Sequence, residues 1–230
     1  MILAANFKMN HTRASTREYL EKLEEHESGG VELYVFPPAT ALQAHSGKVR
    51  VGAQNAYAAV HGSFTGEIGL QQLQEFGINT LILGHSERRH IFGESQELIA
   101  KKFAFYKEQG FRIFYCVGET SKERDKGSEA IHRAIEAQLV GVDLEYEKLI
   151  VAYEPVWAIG TGKSATPEDI TEVLAFLRSK TSAPLLYGGS VKPANIQEIL
   201  HIEQCDGALI GTASWDITTM QEMIDLAKEI

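Results

Sequence analysis

The sequence predicts an α/β protein in which eight parallel strands close into a (β/α)8 barrel with outer helices. Eight short apolar runs rich in β-branched residues alternate with segments of helical periodicity. The runs lack alternating polar positions, which indicates strands buried on both faces of a parallel sheet. The composition does not change abruptly anywhere along the 230 residues, so we expect a single barrel domain over residues 1–230. An open doubly wound sheet is the alternative fold.

The predicted elements follow one another in regular βα order. The strands are residues 2–5, 33–36, 49–53, 80–83, 113–117, 149–153, 185–187 and 208–210. The helices are residues 15–27, 95–108, 128–139, 167–180, 193–200 and 217–230, with shorter and weaker ones at 39–45 and 69–76. Polar or glycine-rich clusters follow several of the strands directly. In a barrel these C-terminal strand ends share one face, where active sites are built.

The segment 152–169 carries the strongest chemical signal. Glu154 follows a predicted strand at once, where partial desolvation would raise the pKa of its carboxyl toward that of a general base. The loop after it is stiffened by Pro155, has an apolar middle around Trp157 and ends in glycines, which is typical of a lid that closes over a site. Thr166 and Pro167 then begin a helix. The alternative is a Glu154 paired with a neighbouring cation beside a rigid connector.

Two further strand ends carry candidate catalytic groups. His85 precedes a predicted helical turn, whose positive end disfavours protonation, so the ring could donate as a neutral group to an oxyanion. Lys8 lies beside Asn6 and could polarise a carbonyl or neutralise a phosphate. The alternatives are a structural histidine that caps the turn and a solvated surface lysine.

The last two strand ends predict an anion site. Gly188, Gly189 and Ser190 follow the seventh strand, and Gly211 and Thr212 follow the eighth. Backbone N–H groups at such positions, with a helix N-terminus behind them, commonly bind phosphate in barrels.

Other nucleotide and hydrolase motifs are incomplete in this sequence. The first glycine of a P-loop would fall on Trp157, and neither GxGxxG after the first strand nor GxSxG is present. His85 and His90 lack the spacing of HExxH zinc ligands, so we expect no metal.

Composition limits the partners and the location. The formal net charge is -9, which argues against nonspecific binding of nucleic acid or anionic membranes. The two cysteines, Cys116 and Cys205, form no CxxC motif and favour a reducing compartment. The N-terminus does not have the pattern of a signal peptide, and no apolar run has transmembrane length. We therefore expect a soluble cytoplasmic protein.

Six stretches make the chain resemble the triosephosphate isomerase family over nearly its full length. They are NFKMN at 6–10, FTGEIG at 64–69, GHSERRHIFGES at 84–95, CVGET at 116–120, AYEPVWAIGTGK at 152–163 and YGGSV at 187–191. The resemblance implies a TIM barrel that interconverts dihydroxyacetone phosphate and D-glyceraldehyde 3-phosphate through an enediolate, a step of glycolysis and gluconeogenesis. It also implies that no metal or organic cofactor takes part.

The resemblance also implies a role for each site residue. Glu154 would be the base, His85 the neutral electrophile that relays a proton, and Lys8 with Asn6 would stabilise the enediolate. Glu87 would orient Lys8. The backbone amides that would hold the phosphate are those of Gly162, Ser190, Gly211 and Thr212. The lid that would close over it comprises Pro155, Val156, Trp157, Ala158, Ile159, Gly160, Thr161, Gly162 and Lys163.

In this family the loop at 59–69 projects into a twofold partner, so the resemblance implies a homodimer in which Phe64 and Thr65 pack near the partner's first strand end. The sequence departs from the family at three points. Phe7 stands where the family usually has Trp, Thr212 replaces a glycine and would be strained if its φ were positive, and the chain is somewhat short. Two other functions stay open at this point. One is another phosphate-binding barrel isomerase or aldolase, with Lys8 as a Schiff-base nucleophile, and the other is a non-catalytic dimeric scaffold.

Overall fold

A computed structural model describes residues 1–158 and 164–230 and contains one eight-stranded parallel sheet. The strands are β1 Ile2–Asn6, β2 Glu32–Phe36, β3 Arg50–Val51, β4 Thr80–Leu83, β5 Arg112–Val117, β6 Leu149–Tyr153, β7 Leu185–Tyr187 and β8 Gly207–Ile210. Their spatial order is β3-β2-β1-β8-β7-β6-β5-β4, and every neighbouring pair is parallel. All eight predicted strands are confirmed.

The two ends of this sheet meet between β3 and β4. Ala53 forms a parallel bridge with Leu81, in which its N–H donates to Thr80 O and its carbonyl accepts from Ile82 N–H, both at 2.9 Å. This contact closes the sheet into a barrel and excludes the open doubly wound alternative. β3 is shorter than predicted because the Val49 amide donates to the Glu24 side chain instead of to a neighbouring strand.

The seam between the first and last strands is tightly built. Ile2 pairs with Gly207, whose φ is +157. A Cβ at this glycine would lie 1.9 Å from Ile2 O, so no larger residue fits without displacing β1.

The helices surround the barrel close to where the sequence predicts them. They are α1 Arg13–Glu25, α2 Leu70–Glu75, α3 Ser86–His90, α4 Gln96–Glu108, α5 Ser121–Arg124, α6 Ser128–Leu139, α7 Pro167–Arg178, α8 Pro193–Leu200 and α9 Ile217–Ala227. α1 begins two residues early because Thr12 and Ser15 form a capping box. The predicted helix at 39–45 is only a 3-10 turn, Ala39–Ala41. No helix in the described ranges is long and apolar enough to cross a membrane.

The strands are apolar on both faces, as their composition predicts. In β6, Ile150 and Ala152 point into the barrel, whereas Leu149, Val151 and Tyr153 pack in the layer between strands and helices. The barrel interior is filled by Ile2, Ala4, Tyr34, Phe36, Ile82, Phe114, Cys116, Ile150, Ala152, Leu186 and Leu209. This filled interior leaves the carboxyl ends of the strands as the place for a site.

Candidate active site

A cavity of about 450 Å³ lies at the C-terminal ends of the strands. It brings together predicted site residues from both ends and the middle of the chain, namely Asn6, Lys8, His85, Glu154, Ser190, Gly211 and Thr212. Its remaining lining consists of Gly188, Gly189, Val191, Lys192, Leu209 and Ala213. Sequence reasoning did not single out Val191, Lys192 or Ala213, although each lies close in sequence to a predicted phosphate-site residue.

Glu154 is buried directly after β6, and both of its carboxylate oxygens are engaged. Oε1 lies 3.0 Å from His85 Nε2, and Oε2 accepts a hydrogen bond from the Ser86 amide at 2.8 Å. Burial raises the pKa of this carboxyl. His85, the Ser86 amide and Lys8 together lower it by a larger amount, so the net shift of the pKa is downward. The predicted upward shift is therefore wrong for this arrangement. The carboxylate is ionised at neutral pH.

His85 caps the N-terminus of α3, as its position after β4 predicts. Its Nδ1 accepts a hydrogen bond from the Glu87 amide at 3.2 Å, which assigns the ring proton to Nε2, facing Glu154. Burial lowers the pKa of the imidazole, but the carboxylates of Glu154 and Glu87 together raise it by more, so the net shift is upward. The expectation that the helix N-terminus disfavours the protonated ring is therefore wrong for this arrangement. Loss of the Glu154 contact would remove the largest of the contributions that raise this pKa.

Lys8 is held in an uncommon backbone conformation, with φ at +50. Its N–H donates to Asn6 Oδ1 at 3.0 Å, and its carbonyl accepts from the Gln54 side-chain amide at 2.8 Å. Glu87 Oε1 lies 2.7 Å from the Lys8 ammonium and fixes its direction. Gln54 was not predicted, although it directly follows the third predicted strand and so occupies the same kind of position as the other site residues.

The turns after β7 and β8, where the sequence predicts an anion site, line the cavity. A Cβ at Gly211 would come within 3.2 Å of Lys8 Cε, so the missing side chain lets the lysine pass over this turn. Thr212 begins a 3-10 turn, Thr212–Ser214, and has no positive φ, so its backbone is unstrained despite the departure from glycine. The predicted phosphate ligand Gly162 lies outside the described residues.

The first part of the predicted lid, 155–158, is anchored on Glu119. A 3-10 turn, Val156–Ala158, places Trp157 so that its indole N–H donates to Glu119 Oε1 at 2.7 Å. The Tyr153 hydroxyl donates to the same oxygen at 3.0 Å. Burial raises the pKa of the Glu119 carboxyl. The other lid residues, Ile159, Gly160, Thr161, Gly162 and Lys163, lie outside the described residues.

Arg124 links Trp157 to α7. This residue was not predicted from the sequence. Its guanidinium lies 5.5 Å from the centre of the Trp157 ring and pairs with Asp169 and Glu172 of α7. One pattern in the sequence could have revealed the helix that carries Arg124. Thr120 and Glu123 have the spacing of a capping box, and α5 begins there.

The cluster behind Lys8 accommodates Phe7. This ring is fully buried, stacks on His11 at 4.2 Å between centroids and contacts Tyr19 edge-on at 4.8 Å. His11 Nε2 also bonds to Trp215 O at 3.0 Å. The Phe7 ring is smaller than the Trp that the family usually has at this position, and the rings of His11 and Tyr19 pack against it.

An apolar patch lies beside the Lys8 turn. Met9, Ile91 and Phe92 are 94%, 71% and 67% exposed, and a second cavity of about 510 Å³ lies among them. Phe64 is 43% exposed and packs on Tyr57, and Thr65 beside it is also exposed. Within residues 1–158 and 164–230, no three His, Cys, Asp or Glu side chains could together hold a metal ion.

The chain is similar to known proteins over its whole length. The family model described as triosephosphate isomerase matches residues 1–227. A triosephosphate isomerase from a Nitratiruptor species is 66% identical over 231 residues, covering 100% of both chains. Those from a Sulfurovum species and from Campylobacter curvus are 54% and 51% identical, covering 97% and 100% of this chain and 99% of each relative.

Proposed function

Because the chain belongs to the triosephosphate isomerase family, we propose that the residues around Glu154 carry out the family's proton transfers. The enzyme is an intramolecular oxidoreductase that interconverts dihydroxyacetone phosphate and D-glyceraldehyde 3-phosphate, a step of glycolysis. The observation that supports the assignment best is a buried carboxylate 3.0 Å from an imidazole, in a cavity that Lys8 also lines.

Glu154 is the base in this proposal. Its carboxylate leaves the Ser86 amide, removes a proton from the carbon next to the substrate carbonyl and later returns it to the neighbouring carbon. Because burial raises its pKa, loss of the His85 and Ser86 contacts makes the carboxylate more basic at the moment when it faces the substrate.

His85, Lys8 and Asn6 stabilise the enediolate. The Nε2–H of the neutral imidazole donates to one enediolate oxygen and moves a proton between the two oxygens. The Lys8 ammonium, oriented by Glu87 at 2.7 Å, opposes the negative charge, and Asn6 holds the Lys8 backbone. The family match over residues 1–227 favours the isomerase over the aldolase alternative.

In this proposal the substrate phosphate binds where the turns after β7 and β8 line the cavity. We assign it to the backbone amides of Ser190, Gly211 and Thr212, with Gly162 added when the lid closes. A closed, dry site would suppress loss of phosphate from the enediolate.

We further propose a homodimer in the cytoplasm, without nucleic-acid or membrane partners. The apolar patch of Met9, Ile91 and Phe92 supports the dimer, because exposed apolar residues clustered beside a site indicate an interface. Exposed Phe64 lies in the loop that is expected to contact the partner. The net charge of -9 supports the absence of polyanionic partners.

The test of the base is Glu154→Gln, assayed by NADH-coupled conversion of glyceraldehyde 3-phosphate to dihydroxyacetone phosphate. We expect kcat to fall by roughly 10²–10⁴, because the amide cannot accept the proton, while inorganic phosphate still binds. Glu97→Gln on the exposed face of α4 is the matched control and should be unchanged. Near-normal turnover of Glu154→Gln would remove Glu154 from this role.

A further inference from the structure

Lys192 lies at the mouth of the cavity, two residues beyond the proposed phosphate ligand Ser190. It lines the same cavity as Ser190, Gly211 and Thr212, and its side chain is exposed. In the proposed mechanism it has no role, and its position in the sequence did not single it out.

The backbone at Lys192 is fixed on both sides. Val191 before it is buried, and Pro193 after it is the first residue of α8. The Lys192 N–H donates to Asn195 Oδ1 at 2.8 Å, which caps the helix. The side chain therefore begins from a set position at the cavity edge, while its four-carbon stem is free to turn inward.

The Lys192 ammonium group differs from the other charged groups of the lining, which are paired with one another or with Glu87. Lys8 is paired with Glu87 at 2.7 Å, and His85 faces Glu154 at 3.0 Å. The Glu154 carboxylate faces the same cavity. Among the residues that the structure describes, Lys192 is the cation of the lining that has no carboxylate within ion-pair distance.

A triose phosphate is a dianion at neutral pH, and it approaches a chain whose formal charge is -9. Both this charge and Glu154 oppose its entry. We propose that the Lys192 ammonium is an additional binding group for the substrate phosphate, which attracts the dianion to the cavity mouth and contacts it beside Ser190. This inference rests on the phosphate site proposed above.

Such a group acts on binding and not on proton transfer. Its attraction falls with ionic strength, because a Debye length of about 10 Å at 0.1 M shrinks to about 3 Å at 1 M. It should affect ligands in proportion to their phosphate charge and leave a substrate without phosphate unchanged.

The experiment compares Lys192→Gln and Lys192→Arg with the wild type and with Lys101→Gln, which removes the same charge from the exposed face of α4. We measure kcat and kcat/KM for glyceraldehyde 3-phosphate at low and high salt. Turnover of unphosphorylated glyceraldehyde and binding of sulfate by calorimetry are measured in parallel. The sulfate measurement does not depend on catalysis, so it tests Lys192 even if the wild type lacks isomerase activity.

For Lys192→Gln at low salt we expect kcat/KM to fall about three- to tenfold with kcat unchanged, and the deficit to shrink as salt screens the charge. Sulfate affinity should fall in parallel, glyceraldehyde turnover should stay constant, and Lys192→Arg should retain most of the wild-type value. Wild-type values for Lys192→Gln would overturn the proposal, as would an equal loss in Lys101→Gln, an equal loss with glyceraldehyde or a loss in Lys192→Arg as large as in Lys192→Gln.

Discussion

Single carboxylates in this chain have their pKa set by contacts with distant segments. Glu24 at the end of α1 is an example outside the site. Its Oε1 accepts from His45 Nε2 at 2.9 Å and from the Val49 amide at 2.8 Å, and its Oε2 accepts from the Lys48 amide at 3.1 Å. Burial raises the pKa of the carboxyl, but these hydrogen bonds lower it more. Glu24 therefore ties α1 to the segment before β3.

Because the pKa of Glu24 is lower in the folded state than its ordinary value of 4.5, its contribution to stability is present above that value. The contribution is lost as the pH falls through the folded pKa. We expect Glu24→Gln to reduce the free energy of unfolding by about 1–2 kcal/mol at pH 7 and to match the wild type near pH 3. Urea unfolding at fixed protein concentration across this pH range is the measurement, with exposed Glu21→Gln as control. A deficit of the same size at both ends of the range would contradict the assignment.

At the residue level, the sequence predicted where the site residues lie better than it predicted their pKa values. Glu154, His85 and Lys8 were found because each follows a buried strand, and strand ends converge in a barrel. The direction of the Glu154 pKa was not predictable, because the groups that lower it come from the segments after β1 and β4. Gln54 was missed because a lone amide after a strand carries no pattern of its own, and Lys192 was missed because it lies beyond the turn that follows β7.

At the level of elements, the weakest join of the barrel is the one between β3 and β4. It depends on the bridge at Ala53, and Gly52 beside it leaves room for the Phe36 ring. A Cβ at Gly52 would lie 2.4 Å from Phe36 Cε1 and 3.0 Å from Thr80 O. The absence of a side chain at this position thus permits both the closure and a large ring inside the barrel.

We expect Gly52→Ala to lower the free energy of unfolding by about 1–3 kcal/mol, because the added methyl overpacks the interior. Thermal unfolding measures this. The change Phe36→Leu removes Cε1, the nearest atom that the methyl would meet, so the double variant should lose less than the sum of the single losses. Simple additivity of the two losses would show that Phe36 is not the obstacle.

Most elements followed from periodicity, and the differences have local causes. Residues 128–139 and 193–200 were predicted with the bounds that the structure has, because each begins and ends at a clear change of pattern. The strand at 49–53 was overpredicted since an apolar run does not reveal that the Val49 amide bonds to Glu24. α5 was missed because its four residues are too few for a hydrophobic period.

On the scale of the whole molecule, we propose that the chain is one domain and that two copies associate through the apolar patch. One sheet joins strands from Ile2 to Ile210, which supports the single domain. The patch adjoins the turn that holds Lys8 with a positive φ, so a partner there would restrain a catalytic group. Association and activity should therefore be linked.

The variant Ile91→Asp should shift the protein from dimer to monomer in sedimentation experiments, because it places a charge in the patch. We expect its activity per chain to fall about tenfold or more, since a displaced Lys8 turn misplaces the ammonium group. Val140→Asp is the matched control, because Val140 is 66% exposed at the end of α6 and does not line the cavity among the patch residues. A fully active monomer, or a dimer that Ile91→Asp leaves intact, would contradict this interface.

The pairing of β1 with β8 has a consequence for biosynthesis. A ribosome makes Ile2 long before its partner Gly207. Until then β1 can pair with β2 alone, and its other edge stays open to other chains. The barrel can close only after β8 has emerged, so the open edge of β1 needs protection by chaperones while all the elements between β1 and β8 are being made.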